Sequence, residues 1–145
     1  MILIEQKVEM STALSGLSRD IVTMTWEERR KSRQKLTTRD GLELALALPT
    51  GSILENGDII YLDNDRYVAV EAAEEDVLCI RPERLEDYVL AAYEIGNRHL
   101  PLSIAHSLLS TLYEPLLEAH FKKHGIECER RQIPFEPVVR RGHAH

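Results

Sequence analysis

The sequence predicts an α+β chain in two domains, an all-β N-terminal half and a mixed βαββαβ half, followed by a flexible C-terminal tail. Three observations carry this. Up to about Glu71, short period-2 apolar runs alternate with turn residues, as sheet does. Ala72-Ala73-Glu74-Glu75-Asp76 is a small, acidic junction that suits a boundary. Beyond it the apolar period changes from two to about 3.6 and back, more than once. The expected domains are residues 1–73, 74–134 and a His-bearing tail at 135–145.

In the first half, the runs pair as antiparallel sheet around turn residues. Arg39-Asp40-Gly41 joins residues 33–38 to 42–48, and Pro49-Thr50-Gly51 closes the next corner. Asn56-Gly57-Asp58 and Asp63-Asn64-Asp65 bracket residues 59–62. Thr25-Trp26-Glu27-Glu28 is a Thr-x-x-Glu capping box that starts a turn or two of helix. The basic stretch Arg29-Arg30-Lys31-Ser32-Arg33-Gln34-Lys35 reads as a solvated strand edge, since Lys and Arg protect edges and no interleaved aromatic offers a base-stacking surface. A docking patch for an acidic partner is the other reading.

In the second half, residues 77–81 read as a strand, and Pro82 opens a helix with Glu83, Glu86 and Asp87 near its positive end. Leu85, Tyr88, Val89, Ala92 and Ile95 fall at helical spacing on one face, and Gly96 is the expected left-handed stop. Two short strands follow, at 100–105 and 108–112, around His106-Ser107. Pro115 opens a second helix that ends at Gly125, and residues 126–133 make the last strand. The order βαββαβ is the ferredoxin-like arrangement, two helices on one face of an antiparallel sheet. A core of about 70 residues supplies only a few kcal/mol, so contact between halves or self-association is expected, with the helix at 85–95 as a surface for it.

Composition narrows the function. With 43% hydrophobic and 29% charged residues the 145-residue chain is globular, and a net charge of −6 argues against a nucleic-acid binder. The N-terminus has no positive flank, and no stretch approaches the ~20 apolar residues of a membrane span. The expected location is the cytoplasm, with no membrane partner. Cys79 and Cys128 lack C-x-x-C spacing and sit in strand-like runs, as buried reduced thiols do. No phosphate-cradling glycine loop, nucleophile–base pair or carboxylate cluster is visible, which lowers the case for an enzyme.

The histidines are the remaining chemistry. His143 and His145 close the chain two residues apart, either a metal hook or the tolerated sequence of an exposed tail. His99 lies where a helix gives way to a strand; as a ligand it would need partners from another chain or a mobile segment, and otherwise it caps the helix end. His120 and His124, four apart, share a helix face and can chelate. With Lys122 and Lys123 between them they also read as a basic C-terminus that complements the helix dipole, the simpler account. His106 reads as exposed in a turn.

Taken in order, several segments carry a family resemblance. They are Ser32-Arg33-Gln34-Lys35-Leu36, Gly41-Leu42-Glu43, Leu48-Pro49-Thr50-Gly51 and Leu54-Glu55-Asn56-Gly57-Asp58 in the first half. The second half adds Ala91-Ala92-Tyr93-Glu94-Ile95-Gly96-Asn97-Arg98-His99, Pro134-Phe135-Glu136-Pro137 and the His-bearing end. Together they resemble the UreE family of urease accessory proteins, which are nickel metallochaperones. The resemblance implies a peptide-binding-like β domain, a ferredoxin-like metal-binding domain and a homodimer. It implies that His99 meets its symmetry mate around Ni²⁺, with His143 and His145 as tail ligands and Zn²⁺ or Cu²⁺ as competitors. The implied partners are the urease apoprotein and accessory proteins including the GTPase UreG. The chain departs from some members in having Glu94 where they have His, no His near residues 112–115, and one short His-Ala-His in place of a long poly-His tail.

A carrier must win its metal and surrender it, so few ligands and a mobile arm serve better than a closed cage. Binding should weaken as imidazoles protonate. Copper outranks nickel at most nitrogen sites, and the sequence shows no device against it. The expected function is a non-enzymatic nickel metallochaperone for urease maturation that passes metal on by ligand exchange. The alternative is an interaction scaffold of the maturation complex whose metal binding is incidental.

Overall fold

A computed structural model describes residues 1–9, 13–105 and 107–138. The chain divides into two compact units, Met1–Ala73 and Glu74–His145.

The first unit is sheet with one helical turn. Its strands are β1 (Ile2–Ile4), β2 (Ser18–Met24), β3 (Arg33–Thr37), β4 (Glu43–Ala47), β5 (Ile59–Leu62) and β6 (Arg66–Ala72), with α1 (Trp26–Arg29) between β2 and β3. They form two three-stranded sheets, ordered β1-β4-β3 and β2-β6-β5. Period-2 alternation places Leu44 and Leu46 of β4, Val22 and Met24 of β2, and Val68 and Val70 of β6 in one shared core, so the two sheets pack face to face. The turn chemistry holds: Gly41, Gly51 and Gly57 all adopt positive φ, and the β3–β4 and β5–β6 hairpins close as expected. Thr25 caps α1 in both directions, its hydroxyl accepting from the Glu28 N–H at 3.2 Å and its own N–H donating to the Glu28 carboxylate at 3.0 Å.

Two features differ from the sequence reading. The pairings β1–β4 and β2–β6 are parallel, because these strands meet across long connections and not through hairpins. The basic stretch is not wholly solvated: β3 is an edge strand, yet Arg29 is buried with its guanidinium 5.6 Å from the Trp26 ring. Asp20 is also fully buried, and its carboxylate accepts hydrogen bonds from the Thr38 hydroxyl, the Ile21 N–H and the Asp40 N–H.

The second unit is ferredoxin-like. β7 (Glu74–Ile80), α2 (Leu85–Asn97), β8 (Ser103–Ala105), β9 (Leu108–Leu112), α3 (Pro115–Lys123) and β10 (Cys128–Pro134) follow in the order βαββαβ. The sheet is antiparallel throughout and runs β10-β7-β9-β8. Leu78 and Ile80 of β7 and Leu109 of β9 face Ala91 and Ile95 of α2 and Leu117 and Phe121 of α3. Both cysteines are free thiols, Cys79 buried and Cys128 partly so, and desolvation pushes both above the usual thiol range. Packing also continues past the strand, into the segment expected to be tail: Phe135 is 1% exposed, and the Val138 N–H donates to the Leu102 carbonyl at 2.7 Å. No helix among the described residues is long and apolar enough to cross a membrane.

Candidate metal centre

α2 sets the position of His99. The helix starts later than Pro82, at Leu85 after the extended N-cap Arg84. Its buried side is Ala91 and Ile95, flanked by partly buried Tyr88 and Ala92. Leu85 and Val89, expected on that side, are 76% and 61% exposed, and with Leu90 at 55% and Tyr93 at 64% they leave apolar surface on the outside. The reason is angular: at 100° per residue, Leu85, Val89 and Tyr93 form a second stripe roughly a third of a turn from the core-facing one. α2 is therefore apolar on two sides, and one of them is uncovered within the unit.

The C-terminus of α2 also differs from expectation. Gly96 stays helical and the helix runs on to Asn97. The left-handed residue is His99, with φ +58°. Its N–H donates to the Gly96 carbonyl at 3.0 Å, and the Leu100 N–H reaches the Ile95 carbonyl at 3.1 Å. Those two bonds are the Schellman pattern, completed by Leu100 packing onto the core beside Ile95. α3 ends the same way at Gly125, φ +71°, with the Ile126 N–H on the Phe121 carbonyl at 2.9 Å. Glycine occupies the strained position in one helix and an exposed histidine occupies it in the other. A non-glycine residue in this region costs roughly 1–2 kcal/mol. Such strain is held at functional positions more often than elsewhere.

The other described histidines are placed differently. The rings of His120 and His124 lie in tilted contact, with centroids 4.5 Å apart and an interplanar angle of 53°. They border a cleft of about 370 Å³ between α2 and α3, with Glu94, Asp87 and Leu90 on the α2 side. The Glu94 carboxylate lies 3.8 Å from the Arg98 guanidinium and 3.8 Å from His120 Nε2, which pairs with it ionically when protonated. This arrangement ties α2 to α3. Among the described residues, no three His, Cys, Asp or Glu side chains gather as a metal cage. His99 itself offers one imidazole per chain. His106, His143 and His145 lie outside the described residues.

What the sequence reading missed is the anchoring of the segment before the tail, where Phe135 is buried and Val138 is tied to Leu102. Phe135 between two prolines was the available signal.

Two family models match the chain: the UreE urease accessory protein N-terminal domain over residues 4–73, and the C-terminal domain over residues 75–145. The chain belongs to the UreE family. Relatives named urease accessory protein UreE are 35% identical to it. The one from Burkholderia thailandensis aligns over 98% of this chain and 68% of its own length. Those from Paraburkholderia xenovorans and Cupriavidus necator each align over 86% of this chain, and over 56% and 66% of their own lengths. The chain thus spans between about half and two thirds of these relatives. The UreE domain boundary falls at Glu74, where the two compact units meet in sequence, and His99 belongs to the second UreE domain.

Proposed function

We propose that this chain is a nickel carrier for urease maturation that works as a homodimer, with the two His99 imidazoles facing one another across the interface. The observation that carries the reading is the placement of His99. It is an exposed imidazole held in a strained, hydrogen-bonded helix stop, at the end of a helix whose outer side presents Leu85, Val89 and Tyr93 uncovered. An apolar stripe of that kind is the sort of surface a second copy covers. Pairing two α2 stripes about a twofold axis near the helix C-terminus would bring two imidazoles together, and one imidazole alone holds a transition metal weakly.

The chemistry is ligand exchange. Two fixed imidazoles capture Ni²⁺, His143 or His145 adds further donors, and the open positions admit a receiving protein's ligands. Zn²⁺ and Cu²⁺ compete at the same nitrogens. The receiving partners in this reading are the urease apoprotein and its accessory proteins, including the GTPase UreG, in the cytoplasm. Family membership under the name urease accessory protein supports the maturation role and a non-enzymatic one.

The test is calorimetric titration of Ni²⁺ into the parent and into His99→Ala. The variant should lose the tightest binding event, of one ion per dimer, while keeping its fold. If it bound nickel like the parent, His99 would not be the ligand.

A further inference from the structure

The face of the second unit's sheet that is turned away from the helices carries a cleft of its own. Its floor follows from strand register. In the β8–β9 pair Ile104 stands opposite Leu109, and Leu109 packs toward α2 and α3, so the neighbouring pair, Ser103 and Ser110, points to the other side. Cys79 of β7 continues that row as the register partner of Ser110, and Arg81 is the next residue of the chain to fall on the same face. The wall is the chain around the end of β10. Ile133, Pro134 and Glu136 line the cleft together with Arg81, Ser103 and Ser110, around a volume of about 350 Å³. Phe135, 1% exposed, and the hydrogen bond from the Val138 N–H to the Leu102 carbonyl hold that wall in place.

The two serines are buried without a partner. Ser103 and Ser110 are 8% and 7% exposed, and neither hydroxyl makes a hydrogen bond among the described residues. Folds pair such groups as a rule, because a buried hydroxyl left unpaired is costly. Thr111, the next residue, shows the rule: its hydroxyl donates to the Pro101 carbonyl at 2.7 Å. The serine oxygens are not sealed in, since both keep access to the cleft, and whatever satisfies them enters from there. Register partners lie about 4.5–5.5 Å apart at Cβ, close enough for both hydroxyls to reach one ligand group.

Arg81 supplies the charge. Its guanidinium pairs with no carboxylate among the described residues. Desolvation raises the Cys79 thiol, and the charges of Arg131 and Arg81 oppose that rise, which puts the Arg81 charge on the Cys79 side of the sheet. Leu108, Ile133 and Pro134 make the rest of the lining apolar, while the exposed Glu136 adds a negative charge at the rim. A dianion such as phosphate is repelled by Glu136 and has no apolar body to set against that lining. A monocarboxylate with a compact apolar body suits both, its oxygens taking the guanidinium and the two hydroxyls. The volume lies near the lower end of the range for small-molecule sites, which are mostly apolar with a few placed polar groups.

We propose that this cleft binds a small monocarboxylate with a compact apolar body, held by Arg81, Ser103 and Ser110. The site uses no residue of the nickel reading, and binding here does not depend on metal.

The test is titration of benzoate into the full-length, metal-free chain, followed by amide shifts in two-dimensional NMR spectra, with benzamide and inorganic phosphate alongside. Benzoate should saturate with a Kd of about 1 mM or below and move the amides of Arg81, Ser103 and Ser110. Benzamide, which keeps the shape without the charge, and phosphate, which keeps a charge without the body, should each bind at least about tenfold more weakly. Arg81→Gln should weaken benzoate binding about tenfold, and Ser110→Ala about three- to fivefold. Because the fold gives the hydroxyls no partner, Ser103→Ala and Ser110→Ala should keep Tm within about 1 °C of the parent or raise it. A larger drop in Tm would mean that the hydroxyls brace the sheet, and would overturn their role as ligand donors. No saturable benzoate binding, or binding unchanged in Arg81→Gln, overturns the site, and phosphate bound in preference to benzoate overturns the carboxylate assignment.

Discussion

Replacing His99 by glycine removes the proposed ligand and relieves a strained backbone position in one change. The imidazole is exposed, so the substitution gives up little packing, and both hydrogen bonds of the helix stop are made by backbone N–H groups that glycine retains. An L-residue at φ +58° carries roughly 1–2 kcal/mol of strain that glycine does not, offset by the ~0.5–1 kcal/mol of extra freedom glycine has in the unfolded chain. The net expectation is a gain of about 0.5–1 kcal/mol. Urea unfolding followed by far-UV circular dichroism measures it, because α2 and α3, the two longer helices, both lie in the second unit. The mirror variant, Gly125→His, places a side chain where an added Cβ meets nothing within 4 Å. It should lose about 1 kcal/mol through backbone strain alone. His99→Gly should therefore be a stabler protein that fails to hold nickel. A loss of stability of 1 kcal/mol or more in His99→Gly would refute the reasoning, since it would mean the imidazole makes contacts that hold the fold.

Other outcomes follow from the same structure. Asp20→Ala should destabilise the first unit by about 2–3 kcal/mol, since three donors lose their buried acceptor; the fluorescence of Trp26, the only tryptophan, reports it. Burial raises the Asp20 pKa, but the hydrogen bonds from Thr38, Asp40 and Ile21 and the charge of Arg39 bring it below its ordinary 3.8. Its contribution to stability is thus complete above the unfolded value and is lost as pH falls through the lower folded one, so Asp20→Asn should flatten the acid limb of the first unit's pH–stability curve below about pH 4. Val89→Lys and Tyr93→Glu, at exposed positions, should leave unfolding within ~0.5 kcal/mol of the parent but shift sedimentation toward monomer; unchanged association would remove α2 from the interface. His120→Ala and His124→Ala should leave the tightest nickel affinity within about twofold, because His120 faces Glu94 and His124 lies against His120, whereas the proposed site is built on His99.

The layout of the second unit was legible because each of its elements is written in local chemistry: the change of apolar period, Pro115 at a helix start, Gly125 at a helix stop. Gly96 misled for a physical reason. A Schellman stop is fixed by the apolar residue that reaches back over the last turn, and Leu100 on Ile95 places the left-handed residue at His99, three beyond the glycine. Leu85 and Val89 were placed on the core side because two apolar stripes on one helix merge in a simple face count. The parallel pairings of β1 with β4 and β2 with β6 join distant segments, so no local turn announces them. The anchoring of residues 135–138 was hidden likewise, since a single backbone hydrogen bond from Val138 to Leu102 leaves no pattern in side-chain order.

The most direct test of the central claim is the anomalous signal from a crystal grown with one nickel ion per two chains. The account predicts a nickel ion on a twofold axis, ligated by His99 of both subunits, with the α2 stripes of Leu85, Val89 and Tyr93 buried alongside. Nickel bound elsewhere, with His99 unligated and remote from any symmetry mate, would contradict it.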